Sequence, residues 1–480
     1  MEISDLTTIL PFLIVVVWAC VLLLVDLFVP GDRKGITASL SAVGLIAGLV
    51  AAVLQLGDEG EAFNGMVVVD GYSTVLQILF MGVGLLAVMQ SYNYIRRTGI
   101  ERGEYYVLLL FTLSGMMLMA SAADLIVVFL ALELLSLPLY VLAGFARRNL
   151  QSEESAIKYF LLGAFASGFV VYGIAMIFGA TMTTSLAGIV AAAQSSSVLL
   201  LLGAGLFLVG LGFKVAAVPF HMWTPDVYQG APSAVAAFMS VGAKAGGFAA
   251  LLRVFVTAFP EIASYWAPIA MWIAALTMAW GNVAAIAQTN IKRMLAFSSI
   301  AHAGYILVAL PAAAKSSVAP EAIRAALFYL VSYAITNLGA WAVVLSLERA
   351  EAKGLEIEDY AGLGAHKPGL ALAMAIFMLS LTGMPPTVGF IGKFYIFRAA
   401  IDAEMVWLAL VGVVTSLISA YYYLRVVVVM YMRSGEPQTR AGTWLKAAVL
   451  LTALGTLVFG VLPGPLLEFA SQAQFISFIP

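Results

Sequence analysis

Cysteine, histidine and charge are all scarce in this chain of 480 residues. The single cysteine, Cys20, excludes a disulfide framework and any iron–sulfur cluster held by cysteine thiolates. The three histidines, His221, His302 and His366, lie on different segments and form no paired haem or zinc signature. The chain is therefore expected to hold no metal and no redox cofactor of its own. Only 10% of its residues are charged and the formal net charge is -2, which argues against a nucleic-acid partner. A basic leader is missing too. Met1-Glu2-Ile3-Ser4-Asp5 is acidic, so the first apolar run reads as a retained helix rather than a cleaved signal.

What is abundant is apolar. Hydrophobic residues make up 62% of the chain and the mean hydropathy is +1.01, far outside the range of soluble globular domains. A helix that crosses a bilayer needs about 20 apolar residues. Fourteen such runs can be read, at 8–30, 36–57, 72–92, 104–121, 123–145, 155–180, 197–228, 232–258, 264–288, 292–311, 321–347, 370–399, 404–432 and 443–469. The fold class is thus an all-α polytopic membrane protein. The seventh and twelfth runs are unusually long and are interrupted by proline.

Lysine and arginine in the connections set the orientation. The odd connections carry fifteen of them, and the even connections carry only Lys315 and Arg398. This bias puts the odd connections on the cytoplasmic side and both termini on the other. The longest connection, 348–369, begins Glu348-Arg349-Ala350-Glu351-Ala352-Lys353, whose mixed charge suggests a short surface helix. A weak repeat is also present. Ala156-Ile157-Lys158 and Ala322-Ile323-Arg324 lie 166 residues apart, and the same offset carries Pro219 onto Pro385. Five helices separate the members of each pair, so the two copies must be inverted in the membrane. Lys214 falls on Ser380, so the ionisable groups are not simply duplicated.

The few charges inside the helices are the candidate functional residues. An ammonium at mid-bilayer costs about 2.5–3.5 kcal/mol on insertion scales, and such groups mark ion or proton pathways. Lys214 sits in Gly212-Phe213-Lys214-Val215-Ala216-Ala217-Val218-Pro219, one turn before a helix-breaking proline. Glu133 lies near the middle of the fifth helix, in Leu132-Glu133-Leu134. The competing reading there is a neutral carboxyl bonded locally. Lys244 is surrounded by small residues, Gly242-Ala243-Lys244-Ala245-Gly246-Gly247, which permit close helix contact or leave room for water. Lys393 follows the second break, Gly383-Met384-Pro385-Pro386-Thr387-Val388-Gly389, where freed carbonyls need water or polar neighbours. Either lysine could instead snorkel to an interface. Lys158, near the start of the sixth helix, could lead protons inward or simply snorkel. His302, in Ser298-Ser299-Ile300-Ala301-His302, has hydroxyl neighbours and a near-neutral reference pKa, so a relay and a structural role are both open. Arg253, Arg324 and Arg425 read as interface or packing residues.

Together these groups could form a proton switch that needs no cofactor. Burial favours the neutral form of a lysine, and a carboxylate partner favours the charged form. A lysine that alternates between the two changes its proton affinity. Moving one charge across 100 mV costs about 2.3 kcal/mol. Breaking a buried ion pair costs about 3–5 kcal/mol, so the device is on the right scale.

The long run Gly212-Phe213-Lys214 with Pro219-Phe220-His221-Met222-Trp223-Thr224-Pro225-Asp226-Val227-Tyr228-Gln229-Gly230-Ala231-Pro232 resembles the antiporter-like subunits of respiratory complex I, as does Leu132-Glu133-Leu134. Within them, Val227-Tyr228-Gln229-Gly230-Ala231-Pro232 is most similar to subunit N, called chain 2 in mitochondria. Lys393, where the M subunit would carry glutamate, and the stop at Pro480, where the L subunit would continue into a lateral helix, favour the same assignment. The resemblance spans the whole chain. It implies three leading helices at 1–103, inverted five-helix repeats at 104–259 and 260–435, and a last helix at 436–480. It implies a proton pathway through Glu133, Lys158, Lys214, Lys244 and Lys393, with His302. The resemblance further implies work inside NADH:quinone oxidoreductase, whose NADH, FMN, iron–sulfur and quinone chemistry lies on other subunits. M-type and K-type subunits and membrane lipid would be the neighbours, in a bacterial inner membrane. A cation/proton antiporter of the same fold and a structural membrane spacer are the alternative readings.

Overall fold

A computed structural model describes residues 3–192, 197–349 and 353–475. Twelve of its helices are long and apolar enough to cross a membrane, and two shorter apolar helices, Leu10–Asp26 and Pro368–Thr382, complete the fourteen spans read from the sequence. They run as α1 (Leu10–Asp26), α2 (Gly35–Leu54), α3 (Gly71–Arg97), α4 (Glu104–Ser121), α5 (Leu125–Ala143) and α6 (Leu150–Thr181). After these come a broken α7 (Val198–Val215, then Trp223–Gly230), α8 (Ser233–Ala258), α9 (Ala263–Ile286), α10 (Ile291–Leu307, extended by Ala309–Ala313) and α11 (Ala319–Leu347). A second broken helix, α12 (Pro368–Thr382, then Val388–Asp402), precedes α13 (Val406–Met432) and α14 (Thr443–Val461). Two boundaries differ from the sequence reading. α6 begins at Leu150, because Asn149 caps it by accepting the Gln151 N–H at 2.9 Å, so Lys158 lies two turns inside. The final run is split at Leu462–Pro463 into α14 and a separate helix, Gly464–Ser471. Residues 350–352 of the suggested surface helix lie outside the described residues. Glu348 and Arg349 are not helical, and Arg349 N–H is bonded to the Lys353 carbonyl at 2.8 Å.

Burial separates centre from periphery. α8 and α10 are enclosed through their apolar stretches, and α11 nearly so, whereas α6, α13 and α14 present long apolar faces outward. That is why α8 can carry Gly242, Gly246 and Gly247: α4, α5 and α7 pack directly on its backbone there.

The repeat suspected at an offset of 166 reappears in the helix caps. Asp124 caps α5 by accepting the Ile126 N–H, and Asn290 caps α10 by accepting from Lys292 and Arg293, 166 residues later. Asp124 is bridged to Ser185 in the connection after α6, and Asn290 to Glu356 in the connection after α11. Both broken helices end their first half in a left-handed residue, Ala216 (φ 61°) and Gly383 (φ 90°). The irregular backbone occupies 216–222 and 383–387, as the prolines at 219, 385 and 386 demand.

The connections sort onto two faces. Residues from the third, fifth, seventh and eleventh connections, with Lys292 from the first turn of α10, line one cavity, while Lys315 and Glu404, from the tenth and twelfth, pair at 2.8 Å. The chain ends are tied back on the even face. Tyr72 N–H donates to the Gln474 carbonyl at 3.1 Å, and its ring lies 4.5 Å from that of Phe475.

Candidate proton pathway

Lys214 occupies the last turn of the first half of α7 and is 2% exposed. Its Nζ donates to Ser136 Oγ at 2.8 Å and to Tyr159 OH at 3.2 Å. The Tyr159 ring lies 5.5 Å from the ammonium and stacks on Trp223, the first residue after the break. Lys214 therefore meets neutral hydroxyls, not a carboxylate. Among the described residues no direct ion pair joins it to Glu133. Glu133, half-buried, accepts instead from Ser167 Oγ of α6 at 2.5 Å. It remains the carboxylate whose field acts on Lys214, and Ser136 lies one turn further along α5. The physical reason is register. On a helix, positions i and i+3 share a face, so the hydroxyl reaches the ammonium first.

Lys244 is 2% exposed at the middle of α8, and its Nζ has no hydrogen-bond partner among the described residues. The imidazoles of His221 and His302 are the titratable groups on which it acts electrostatically. His302 on α10 is held on both ring nitrogens. Nδ1 meets Tyr329 OH at 2.8 Å and Nε2 meets Tyr423 OH at 3.1 Å, while Tyr423 OH meets Ser298 Oγ at 2.5 Å. Tyr333 stacks on the ring at 5.0 Å. A neutral imidazole with a hydroxyl on each nitrogen can take a proton on one side and release one on the other.

Lys393 completes the second break. Its Nζ donates to the carbonyls of Leu381 at 3.0 Å and Thr382 at 2.9 Å, and to Ser416 Oγ at 2.7 Å. The ammonium thus satisfies carbonyls that the end of the first half of α12 leaves free, at the negative end of that helix. It lies 4.7 Å from the Tyr305 ring centroid. At the first break different groups do this work. Trp223 Nε1 donates to the Phe213 carbonyl at 3.0 Å, and Val218 N–H donates to Thr277 Oγ1 at 2.9 Å. Ser380, the counterpart of Lys214, meets Thr336 Oγ1 at 3.1 Å and accepts from Gly389 N–H at 3.2 Å.

Lys158 stands apart from these groups. Its side chain is 41% exposed and pairs with Glu154 at 2.7 Å and Asp226 at 2.9 Å; Asp226 also holds Arg293 at 2.7 Å. This network ties the second half of α7 to α6 and α10. Hydropathy reading missed Ser136, Tyr159, Tyr329, Tyr423 and Asp226, because hydroxyls cost little in an apolar run and Asp226 lies at the very end of one. Spacing offered one usable signal: Ser136 is three residues beyond Glu133. The arginines outside this pathway have structural partners. Arg253 is bidentate to Asp70, at 2.9 and 2.7 Å, and Arg425 donates to the carbonyls of Ile286 and Gln288 at the end of α9. Arg324 pairs with Glu321 at 3.2 Å on the surface.

Residues 122–419 match the model of the family described as NADH:quinone oxidoreductase/Mrp antiporter, TM. NADH-quinone oxidoreductase subunit N of Chloroflexus aggregans is 48% identical over 98% of this chain and 98% of its own length. The subunit N of Trichlorobacter lovleyi is 47% identical over 98% and 97%. A chain of respiratory complex I from Thermus thermophilus, solved with bound aureothin, superposes with a TM-score of 0.82 at 38% identity, covering 95% of this chain and 98% of that one. A chain of the Mrp complex from Dietzia superposes with a TM-score of 0.85 at 22% identity, a likeness of fold alone. With identities this high over nearly the full length of both partners, the chain belongs to the NADH:quinone oxidoreductase/Mrp antiporter membrane family, among its subunit N members.

Proposed function

We propose that this chain is a proton-translocating membrane subunit of an NADH:quinone oxidoreductase, moving protons along Glu133, Lys214, Lys244, His302 and Lys393. The observation that carries this reading is Lys214: a buried ammonium beside a broken helix, held by neutral hydroxyls within the field of Glu133. Such a lysine is free to exchange its proton, because no carboxylate locks it in the charged form. Lys158 has a positioning role in this scheme, fixing Asp226 and with it the second half of α7. NADH oxidation and quinone reduction belong to other subunits, and this chain contributes no cofactor. Its setting is a bacterial inner membrane with both termini on the periplasmic side. Its neighbours there are M-type and K-type subunits.

The test is NADH-driven proton uptake by vesicles carrying the whole complex, beside NADH:quinone turnover. Lys214→Ala should assemble and pump about tenfold more slowly. Full pumping by an incorporated variant would sink the reading. The alternative, a stand-alone cation/proton antiporter, has fold likeness on its side, but the subunit N identities favour the oxidoreductase. Failure of the chain to co-purify with flavin- and iron–sulfur-containing subunits would favour the antiporter.

A further inference from the structure

The face carrying the odd connections opens into a cavity of about 970 Å³, lined among others by Tyr94, Arg97, Gln229, Pro232, Lys292 and Glu348. Two ionisable groups in its wall are nearly enclosed: Glu348 is 6% exposed and Lys292 is 2% exposed. Glu348 Oε1 accepts from Tyr94 OH at 3.2 Å, but Oε2 has no partner among the described residues. Lys292 Nζ donates to the Ala231 carbonyl at 2.7 Å, and Glu348 is the acid acting on it. The sequence reading assigned neither residue a function.

Two turns before Glu348 on α11, Trp341 Nε1 is buried without a hydrogen-bond partner among the described residues, and its ring lies 6.5 Å from that of Tyr228. The hydroxyls of Tyr228 and Tyr333 both lie within reach of Ser299. Ser299 Oγ reaches the Ser240 carbonyl at 3.5 Å, and Ser240 Oγ accepts from Asn337 Nδ2 at 2.7 Å. Ser240 is one turn before Lys244, and Ser299 is one turn before His302. Burying an unpaired polar atom costs about 1–3 kcal/mol, so Trp341 Nε1 and Lys244 Nζ mark places where a water could be bound between these hydroxyls.

We propose that this cavity is the proton entrance from the cytoplasmic face, with Glu348 as the carboxylate that collects the proton and Tyr228, Tyr333 and Ser299 as the route to Lys244. The step is a simple relay: a proton binds Glu348 Oε2, leaves it toward the Tyr228 hydroxyl, and is taken up by Lys244 Nζ once that amine has passed its own proton on. Arg293, Lys158 and Asp226 lie outside this route. The inference rests on the translocation reading above.

Three measurements on the whole complex test it. Glu348→Gln keeps an acceptor for Tyr94 but cannot titrate, and Tyr228→Phe removes one hydroxyl. Each is expected to slow proton uptake by roughly tenfold, while Glu348→Asp retains most of it. In a Cys20→Ser background, Glu348→Cys is expected to react with a membrane-impermeant thiol reagent added only on the face carrying Arg147 and Arg148. Unimpaired pumping by both Glu348→Gln and Tyr228→Phe, or no labelling of Glu348→Cys, would overturn the entrance. Lys214→Ala separates this from failure of the broader reading, since it should still slow pumping by about tenfold if only the entrance is wrong. If Glu348→Gln does not assemble, Tyr228→Phe and the labelling decide.

Discussion

Lys214 and Arg253 are both buried cations, and the difference between them is chemical. Arg253 is fully enclosed, bidentate to Asp70, and donates through Nε to the Ala120 carbonyl at 2.8 Å. Arginine keeps its proton and matches a carboxylate geometrically, so this pair is a structural lock. Lys214 meets only hydroxyls and can change charge. Lys214→Arg separates a fixed positive charge from a titrating one, because arginine cannot release its proton. It is expected to fail about as badly as Lys214→Ala, slowing proton uptake by about tenfold in NADH-energised vesicles. Robust pumping by the arginine variant would show that Lys214 is a fixed counter-charge. Removing one half of the lock should act on assembly instead. Asp70→Ala leaves the Arg253 guanidinium buried without its carboxylate, at a cost of about 3–5 kcal/mol. The variant complex should lose thermal stability or fail to incorporate the subunit; an unchanged melting temperature would contradict the lock.

At the scale of elements the two breaks are built alike in backbone and differently in side chains. Gly383 takes φ 90°, a conformation that favours glycine, and a Cβ added there would meet Lys393 Cδ at 2.8 Å. Gly383→Ala should therefore cost about 1 kcal/mol in strain and push Lys393 off the carbonyls of Leu381 and Thr382. The expected result is an assembled complex whose pumping falls severalfold with little change in subunit content. Normal pumping in that variant would mean that Lys393 does not depend on the break. The breaks themselves were legible in the sequence, because proline at 219, 385 and 386 cannot continue a helix wherever it is packed. The caps Asp124 and Asn290, which make the repeat plain, were not. A single Asp or Asn before an apolar run is common, and only the shared bridging partners identify them as counterparts.

The molecule as a whole is closed by contacts far apart in sequence. Arg253 of α8 lies over the rings of both Tyr72 and Phe475, at 5.0 and 5.3 Å, so α3, α8 and the tail after α14 meet at one buried charge. Phe475→Ala should loosen this junction and lower the melting temperature of the complex by a few degrees, with pumping per NADH unchanged. An unaltered melting temperature would show that the tail is only resting there. The sequence by itself determined the membrane class, the number of spans, the broken helices and the burial of Lys214, Lys244 and Lys393. Each of these follows from local cost: an apolar run must enter lipid, proline must break it, and a charge inside it must be hidden. Only the tertiary structure decided the partners. It gave Lys214 to Ser136 and Tyr159, His302 to Tyr329 and Tyr423, and Lys393 to the end of its own helix. It also moved Lys158 out to Asp226. A buried group takes the polar neighbour that helix register and packing bring to it, and along this chain those neighbours are up to 254 residues away.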